Sequence, residues 1–404
     1  MNVIYQTFFH VNTTVTSNPH QGVMINYHTT LGETFVVYTI LDDPSFLKAI
    51  KAKPKSSKWS TRGLKNASQS GNFAIERWVC YCELNNLLPG CYIYKIVGNG
   101  IESKIFQFTI EVKRDSFSFL CLADMQYGGN PVTPQFIKDI RCLYPDITLC
   151  IGSGDIVDFG DKEEEWTNII DSDAFNGCMV AFAPGDHEYW GDDSIKITQY
   201  EAPHTYLAIF HNPLNGAPQS MGSSYYFIYH QVLFIMLDMN DSNSTMGPKF
   251  DEQAKWIRKV LEEHQNEYKF SIVSMHKSIF GSQIEDSNVY KNIRPVWYPI
   301  FNEYKVDLVL SGHDHMYSRT YPLSGDTPTV SEIGTTYLDL GTSGNKRRHV
   351  DESLTKSTVY AKVIDLKEIQ NSLCAIVSIE NNTLVVKVYN LALTIVDTFQ
   401  IKKY

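Results

Sequence analysis

Five apolar runs between residues 117 and 310 each break off into a carboxylate or an imidazole, and that repeated ending constrains this chain more than any other feature. Phe117–Ala123 is followed by Asp124, and Ile147–Gly152 by Ser153-Gly154-Asp155. Met179–Pro184 runs into Gly185-Asp186-His187-Glu188, and Phe270–Met275 into His276. Val306–Leu310 leads to Ser311-Gly312-His313-Asp314-His315. Short continuous apolar runs bounded by turn residues read as strands buried on both faces. Between them, Glu163–Ile170 and Asp251–His264 have helical character, with Ala254, Ile257, Val260 and Leu261 on one face of the second. Strands alternating with helices make an α/β layered region, and in open α/β sheets sites gather just beyond the carboxyl ends of the strands. One Asp after a strand is ordinarily a turn residue or helix cap. Three Asp and three His delivered this way in one region form the donor set of a two-metal site, and the lack of thiolates among them argues against a structural zinc. Gly154 and Gly312 directly precede ligand candidates, where a tight turn must bring backbone close.

The first 113 residues follow a different grammar. Val23–His28, Thr34–Ile40, Arg77–Leu84, Cys91–Val97 and Ile105–Val112 read as short strands separated by Gly, Pro and Asn turns, which predicts an antiparallel β-sandwich. No cluster of His, Cys or carboxylates falls there, so no chemistry is expected of it. After residue 320, Tyr337–Leu340 and the alternating run Val377–Ile401 add further strands.

Charge and processing signals narrow the partners. The formal charge is −10 with no basic tract, so no nucleic acid is expected. The excess is local, since Asp155–Asp193 holds twelve acidic side chains against the single Lys162. No apolar run reaches the ~18 residues of a bilayer span, so no membrane association is expected. The eight cysteines form no C-x-x-C pair, and Met1–Thr14 lacks the basic and apolar regions of a leader. The expectation is a cytoplasmic protein, with a mature secreted form as the other option and the oligomeric state open.

The ordered blocks Ala123-Asp124-Met125-Gln126, Gly154-Asp155-Ile156-Val157-Asp158, Gly185-Asp186-His187-Glu188, Met275-His276 and Gly312-His313-Asp314-His315-Met316-Tyr317-Ser318-Arg319 resemble the five blocks of calcineurin-like metallophosphoesterases. The last block is most similar to the purple acid phosphatase branch. Leu87-Leu88-Pro89-Gly90-Cys91-Tyr92-Ile93-Tyr94 resembles a turn of the fibronectin-III-like domain which that branch carries. The resemblance implies an all-β sandwich domain at 1–113 followed by an α/β four-layer (αββα) metallophosphoesterase domain at 114–404. It also implies that Asp155 bridges two metals, with Asp124 and His315 on the first and Asp186, His276 and His313 on the second. His187 would stand beside the substrate phosphate.

The chain departs from the purple enzymes at several positions. Asp158 stands where they place a metal-bound Tyr, which disfavours Fe(III) and its colour and leaves two divalent ions (Fe, Zn or Mn) as the expected cofactors. Asp186 replaces an Asn, keeping an oxygen donor and adding a charge. Gln126 takes a position that is Gly or His in relatives, and is carried as a further candidate metal ligand or a lining residue. The histidine pair that follows the purple enzymes' equivalent of His276 is missing from Lys277–Glu285. Gly154-Asp155-Ile156-Val157-Asp158 also resembles the G-D-x-V-D element of phosphoprotein phosphatases, which implies an Asp158–His187 dyad suited to general acid catalysis.

These readings converge on a metal-dependent hydrolase of small phosphate monoesters. Two cations would supply hydroxide at neutral pH, and His187 would stabilise the phosphate and protonate the leaving alcohol. A phosphodiesterase or nucleotide hydrolase of the same fold and a non-catalytic phospho-ligand-binding protein are the alternatives. Tyr127, Tyr189, Trp190 and Phe280 lie next to site blocks and read equally as pocket or core. Arg319 reads as structural, and Arg347-Arg348 as a solvated loop.

Overall fold

A computed structural model describes residues 7–60, 76–126, 132–192, 197–199, 201–240, 248–281 and 288–403. Tyr127 therefore lies outside the described residues. The apolar runs that opened the sequence reading are the central strands of two stacked sheets. Ser116–Leu122, Leu149–Ser153 and Met179–Ala183 run parallel in register, with Leu120 beside Cys150 and Cys150 beside Val180. Leu373–Glu380 joins antiparallel on the far side of Ser116–Leu122, followed by Thr383–Asn390 and Ile395–Lys402, so the alternating C-terminal run is an antiparallel meander. The facing sheet has the order Tyr225–Tyr229, Val232–Leu237, Phe270–Lys277, Leu308–Gly312, Thr336–Asp339, Tyr317–Thr320 and Tyr360–Ile364. Its inner strands, Val232–Leu237 through Thr336–Asp339, are all parallel to one another.

Both faces of these strands are apolar because both are covered. Between the sheets, Phe119 meets Phe234 edge-on at 5.1 Å, and Ser153 Oγ meets Ser274 Oγ at 3.0 Å. The helices Thr133–Leu143 and Glu163–Ile170 seal the outer face of the first sheet with Phe136, Ile137, Ile140, Trp166 and Ile169. Pro248–Glu263 and Asn288–Glu303 seal the other through Ile257, Val260, Leu261, Trp297 and Phe301. Burying each such side chain contributes ~1.5–3 kcal/mol. The result is the expected helix–sheet–sheet–helix stack. Among the described residues no helix is long and apolar enough to cross a membrane.

The N-terminal region is all-β. Val23–Thr29, Arg77–Leu84 and Lys55–Trp59 form one layer, and Phe35–Ile40, Gly90–Gly98 and Phe106–Ile110 the other. Ile25, Tyr27, Tyr94, Ile96 and Phe108 share its core. Tyr92 Oη donates to the Leu88 carbonyl at 2.8 Å, the back-bonding tyrosine corner of Greek-key sandwiches. The strand Phe8–Thr14 pairs antiparallel with Val23–Thr29 and meets Met179–Ala183 in parallel at Thr14 beside Val180. The change of sequence grammar near residue 113 is therefore no break in the sheet, which runs through ten strands from one region into the other.

Candidate metal centre

Six side chains meet where the two sheets present their strand ends. Asp155, Asp186, His276 and His313 each offer a ligand atom within 4.8 Å of the others, and Asp124, Asp155 and His315 form a second such group. Asp155 belongs to both. Four of the six sit on left-handed backbone, with φ of 47° at Asp124, 54° at Asp155, 76° at His313 and 56° at His315. This conformation is uncommon for residues with a side chain and costs ~1–3 kcal/mol at each. Main-chain hydrogen bonds hold it, with Asp124 N–H donating to Gly154 O at 3.0 Å and Gln126 N–H to Asp155 O at 3.1 Å. The glycines make the convergence possible. A Cβ on Gly312 would lie 1.9 Å from Asp124 Oδ2, and one on Gly154, at φ +87°, would lie 2.6 Å from Gly185 N.

The imidazoles are aimed by the main chain. His276 Nδ1 donates to Ser153 O at 2.8 Å, and His315 Nδ1 to Lys346 O at 3.0 Å. That leaves each Nε2 lone pair pointing inward. His276 Nε2 lies 3.0 Å from Asp186 Oδ1 and 3.2 Å from Asp155 Oδ1, and His315 Nε2 lies 3.2 Å from Asp124 Oδ1. Lone pairs facing carboxylate oxygens repel unless positive charge lies between them. Asp124 Oδ1 and Asp186 Oδ1 are both buried without a hydrogen-bond partner. Burial disfavours charge here, yet the imidazoles beside Asp155 and Asp186 hold both carboxyls well below the usual range. Conversely, burial would depress His276, but Asp155 and Asp186 hold it well above its ordinary value. Inward oxygens and imidazole nitrogens around a buried cationic demand fit divalent metal ions.

One expectation is corrected, and one open alternative is narrowed. The Asp158–His187 dyad is not a carboxylate–imidazole pair: His187 Nδ1 donates to the Asp158 main-chain carbonyl at 2.6 Å, while the Asp158 carboxylate is drawn to Lys346 Nζ. Gln126 is buried at the centre as a lining residue, with its amide nitrogen and not its oxygen toward the candidate ligands. Its Nε2 donates to Asp155 Oδ2 at 2.9 Å, and its Oε1 accepts from Lys346 Nζ at 2.7 Å. His187 itself stands at the rim, with its N–H on Asp155 Oδ1 at 3.1 Å and its ring 4.1 Å from that of Trp190. Of the other aromatics, Tyr189 is core and donates to Asp238 at 2.5 Å, and Phe280 packs on Tyr337. Arg319 is structural, paired with Asp397 at 2.7 Å.

Three supporting residues escaped the sequence reading. Glu188 Oε2 accepts from the N–H groups of Gly185 at 2.6 Å and Asp155 at 2.9 Å. Its Oε1 accepts from Ile156 at 2.7 Å and Val157 at 3.3 Å, so one carboxyl ties two site loops together. Burial, with the Asp155 charge adding to it, pushes this carboxyl up to about 8. Glu165 holds the N–H groups of Asp158 at 2.6 Å and Phe159 at 3.0 Å, and burial pushes it up to about 7. The third is Lys346. Glu188 directly follows His187 in the sequence, but nothing local signals that its carboxylate points back into the backbone.

Residues 117–317 match the family model of calcineurin-like phosphoesterases. An uncharacterized protein of Mycobacterium tuberculosis is 25% identical over 330 residues, covering 71% of this chain and 61% of its own. The Fe(3+)-Zn(2+) purple acid phosphatase 12 of Arabidopsis thaliana is 24% identical over 309 residues, 70% of this chain and 63% of its own. The chain thus spans about three-fifths of the length of these curated relatives. The solved purple acid phosphatase PPD1 of yellow lupin seeds superposes with a TM-score of 0.77 at 16% identity, covering 98% of this chain and 74% of its own. The chain thus carries a calcineurin-like phosphoesterase domain at residues 117–317 and is similar to a purple acid phosphatase over about 70% of its length.

Proposed function

We propose that the chain is a metal-dependent phosphatase that hydrolyses small phosphate monoesters at a dinuclear centre. The observation that carries this reading is the pair of donor groups sharing Asp155, with imidazole lone pairs and partnerless carboxylate oxygens all turned inward. Asp124, Asp155 and His315 would hold one ion, and Asp155, Asp186, His276 and His313 the other. When bound, two such divalent ions lower the pKa of a water from 15.7 toward ~7 and offset phosphate charge. Three carboxylates against two divalent ions leave the centre net positive, which suits an anionic substrate. The Asp186 carboxylate contributes the negative charge that a tyrosinate would supply elsewhere. With Asp158 turned to Lys346, no phenolate is offered at that position, so Zn, Mn or Fe(II) suits the donors better than Fe(III).

His187 supplies the proton chemistry. Its Nδ1–H is committed to Asp158 O, so Nε2 is the nitrogen that can carry a proton to a leaving alkoxide. Trp190 against the ring restricts its swing.

The test compares turnover of an aryl phosphate and its bis-aryl diester by protein reconstituted with Zn²⁺ or Mn²⁺, alongside Asp155→Asn. The expected result is a clear monoester preference, a colourless holoprotein, and a fall on the order of 10³-fold in the variant. Preference for the diester would make the protein a phosphodiesterase. Two bound ions with no turnover of either would make it a phospho-ligand-binding protein.

A further inference from the structure

The position of Lys346 says more about the centre than its place in the sequence suggested. Its loop is stitched onto the site, with Gly344 N–H on Asp124 O at 3.0 Å, Asn345 N–H on Gln126 O at 3.2 Å and Arg348 N–H on His315 O at 3.0 Å. The Lys346 carbonyl receives His315 Nδ1–H. The ammonium lies between the Asp158 carboxylate and Gln126 Oε1. An ammonium only donates, so the Gln126 atom 2.7 Å from it must be the amide oxygen. The amide NH₂ then faces Asp155 Oδ2 at 2.9 Å and stands 3.4 Å from His315 Nε2. An amide nitrogen has no lone pair to give a cation. Gln126 therefore belongs to the frame that orients the shared carboxylate, and not to the ligands.

We propose that Lys346 is a positioning residue of the centre: by holding Gln126 with its NH₂ on Asp155, and the Asp158 loop whose carbonyl anchors His187, it sets the geometry of the shared carboxylate. This rests on the dinuclear reading above. Partners of this kind, one step removed from the metal, are worth ~10–100-fold in metal affinity.

The experiment measures Zn²⁺ affinity by competition with a coloured chelator, for wild type, Lys346→Met, Lys346→Arg, Gln126→Met and the double Met variant. Lys346→Met is expected to weaken binding by ~10–100-fold. Lys346→Arg, which keeps a cationic donor, should recover most of that loss. Gln126→Met should also weaken binding, and the double variant should lose no more than Lys346→Met alone, because the glutamine acts within the linkage that the lysine holds. Fully additive losses, no recovery by Arg, or wild-type affinity in Lys346→Met would overturn the proposal. If wild type itself takes up fewer than two ions, the dinuclear reading falls and this one with it. Two ions in wild type and unchanged affinity in Lys346→Met sink the lysine's role alone. Should Lys346→Met fail to fold, Lys346→Gln, neutral and of similar reach, replaces it in the cycle.

Discussion

Left-handed backbone at Asp124, Asp155, His313 and His315 turns each side chain sharply as its strand ends, and neighbouring glycines leave room for the turn. Gly312→Ala places a Cβ 1.9 Å from Asp124 Oδ2, so either that carboxylate or the His313 turn must move. We expect the variant to fold with a loss of ~1–3 kcal/mol and to bind metal poorly. A thermal melt read beside metal content checks this, and two ions held at wild-type affinity would contradict it. Asp158→Asn has the opposite expectation. His187 takes its tautomer from a main-chain carbonyl, so turnover of an aryl phosphate should stay close to that of wild type, whereas a carboxylate dyad would lose it. At this scale the convergence of the six candidate ligands was legible, because strand ends write their polar residues into the sequence beside the apolar runs. The partners of Asp158 and Gln126 were not legible, because both are decided by a lysine far along the chain.

Among the elements, the buried strands were legible from continuous apolar runs. Two others were not. Asn288–Glu303 is a helix containing Pro295 and Pro299, residues that ordinarily stop one. Burial of Trp297, Ile300 and Phe301 outweighs their cost. Phe8–Thr14 lacks an apolar face, since its polar residues are satisfied across the junction: Asn12 bonds Ile209 O at 3.1 Å and receives Asn26 Nδ2 at 3.0 Å. The loops after Leu149–Ser153 and Met179–Ala183 depend on each other through Glu188. In Glu188→Gln one acceptor oxygen becomes an NH₂ facing N–H donors, so at least one pair of hydrogen bonds is lost in a buried setting. The expected cost is ~2–3 kcal/mol, with weakened metal uptake because Asp155 is held by the same carboxyl. Chemical denaturation with and without Zn²⁺ measures both. Unchanged stability would show that the two loops hold their shape unaided.

Over the whole molecule, part of the acidic run that dominates the net charge lies inside. Asp155, Asp158, Asp161, Glu165 and Glu188 are buried, and the carboxyls of Asp155, Asp158, Glu165 and Glu188 are bound to backbone or to Lys346, so part of the formal −10 belongs to the frame of the site. The same inward placement governs the seam between the two regions. There Glu163 takes both Arg77 nitrogens and lies 2.6 Å from His10 Nε2. Burial alone would raise Glu163, but His10 and Arg77 outweigh it and hold the carboxyl well below its usual range. His28 is pushed well below its ordinary value by burial, with Arg77 adding to it. His211, stacked 4.0 Å from Tyr81, is pushed down to about 4 by burial. The signs agree. A depressed imidazole is neutral in the fold while the unfolded chain takes a proton below ~6.5, so its stabilisation is lost as pH falls from there toward 4. A depressed carboxylate loses its contribution as pH falls below ~4.5. At pH 5 His211 alone accounts for about 2 kcal/mol. The melting temperature should therefore drop steadily between pH 6.5 and 4.5. His211→Phe, which keeps a ring on Tyr81 and cannot titrate, should flatten that slope by close to one proton. If wild type and His211→Phe lose stability in parallel across the window, the acid-sensitive part of the molecule lies away from this residue.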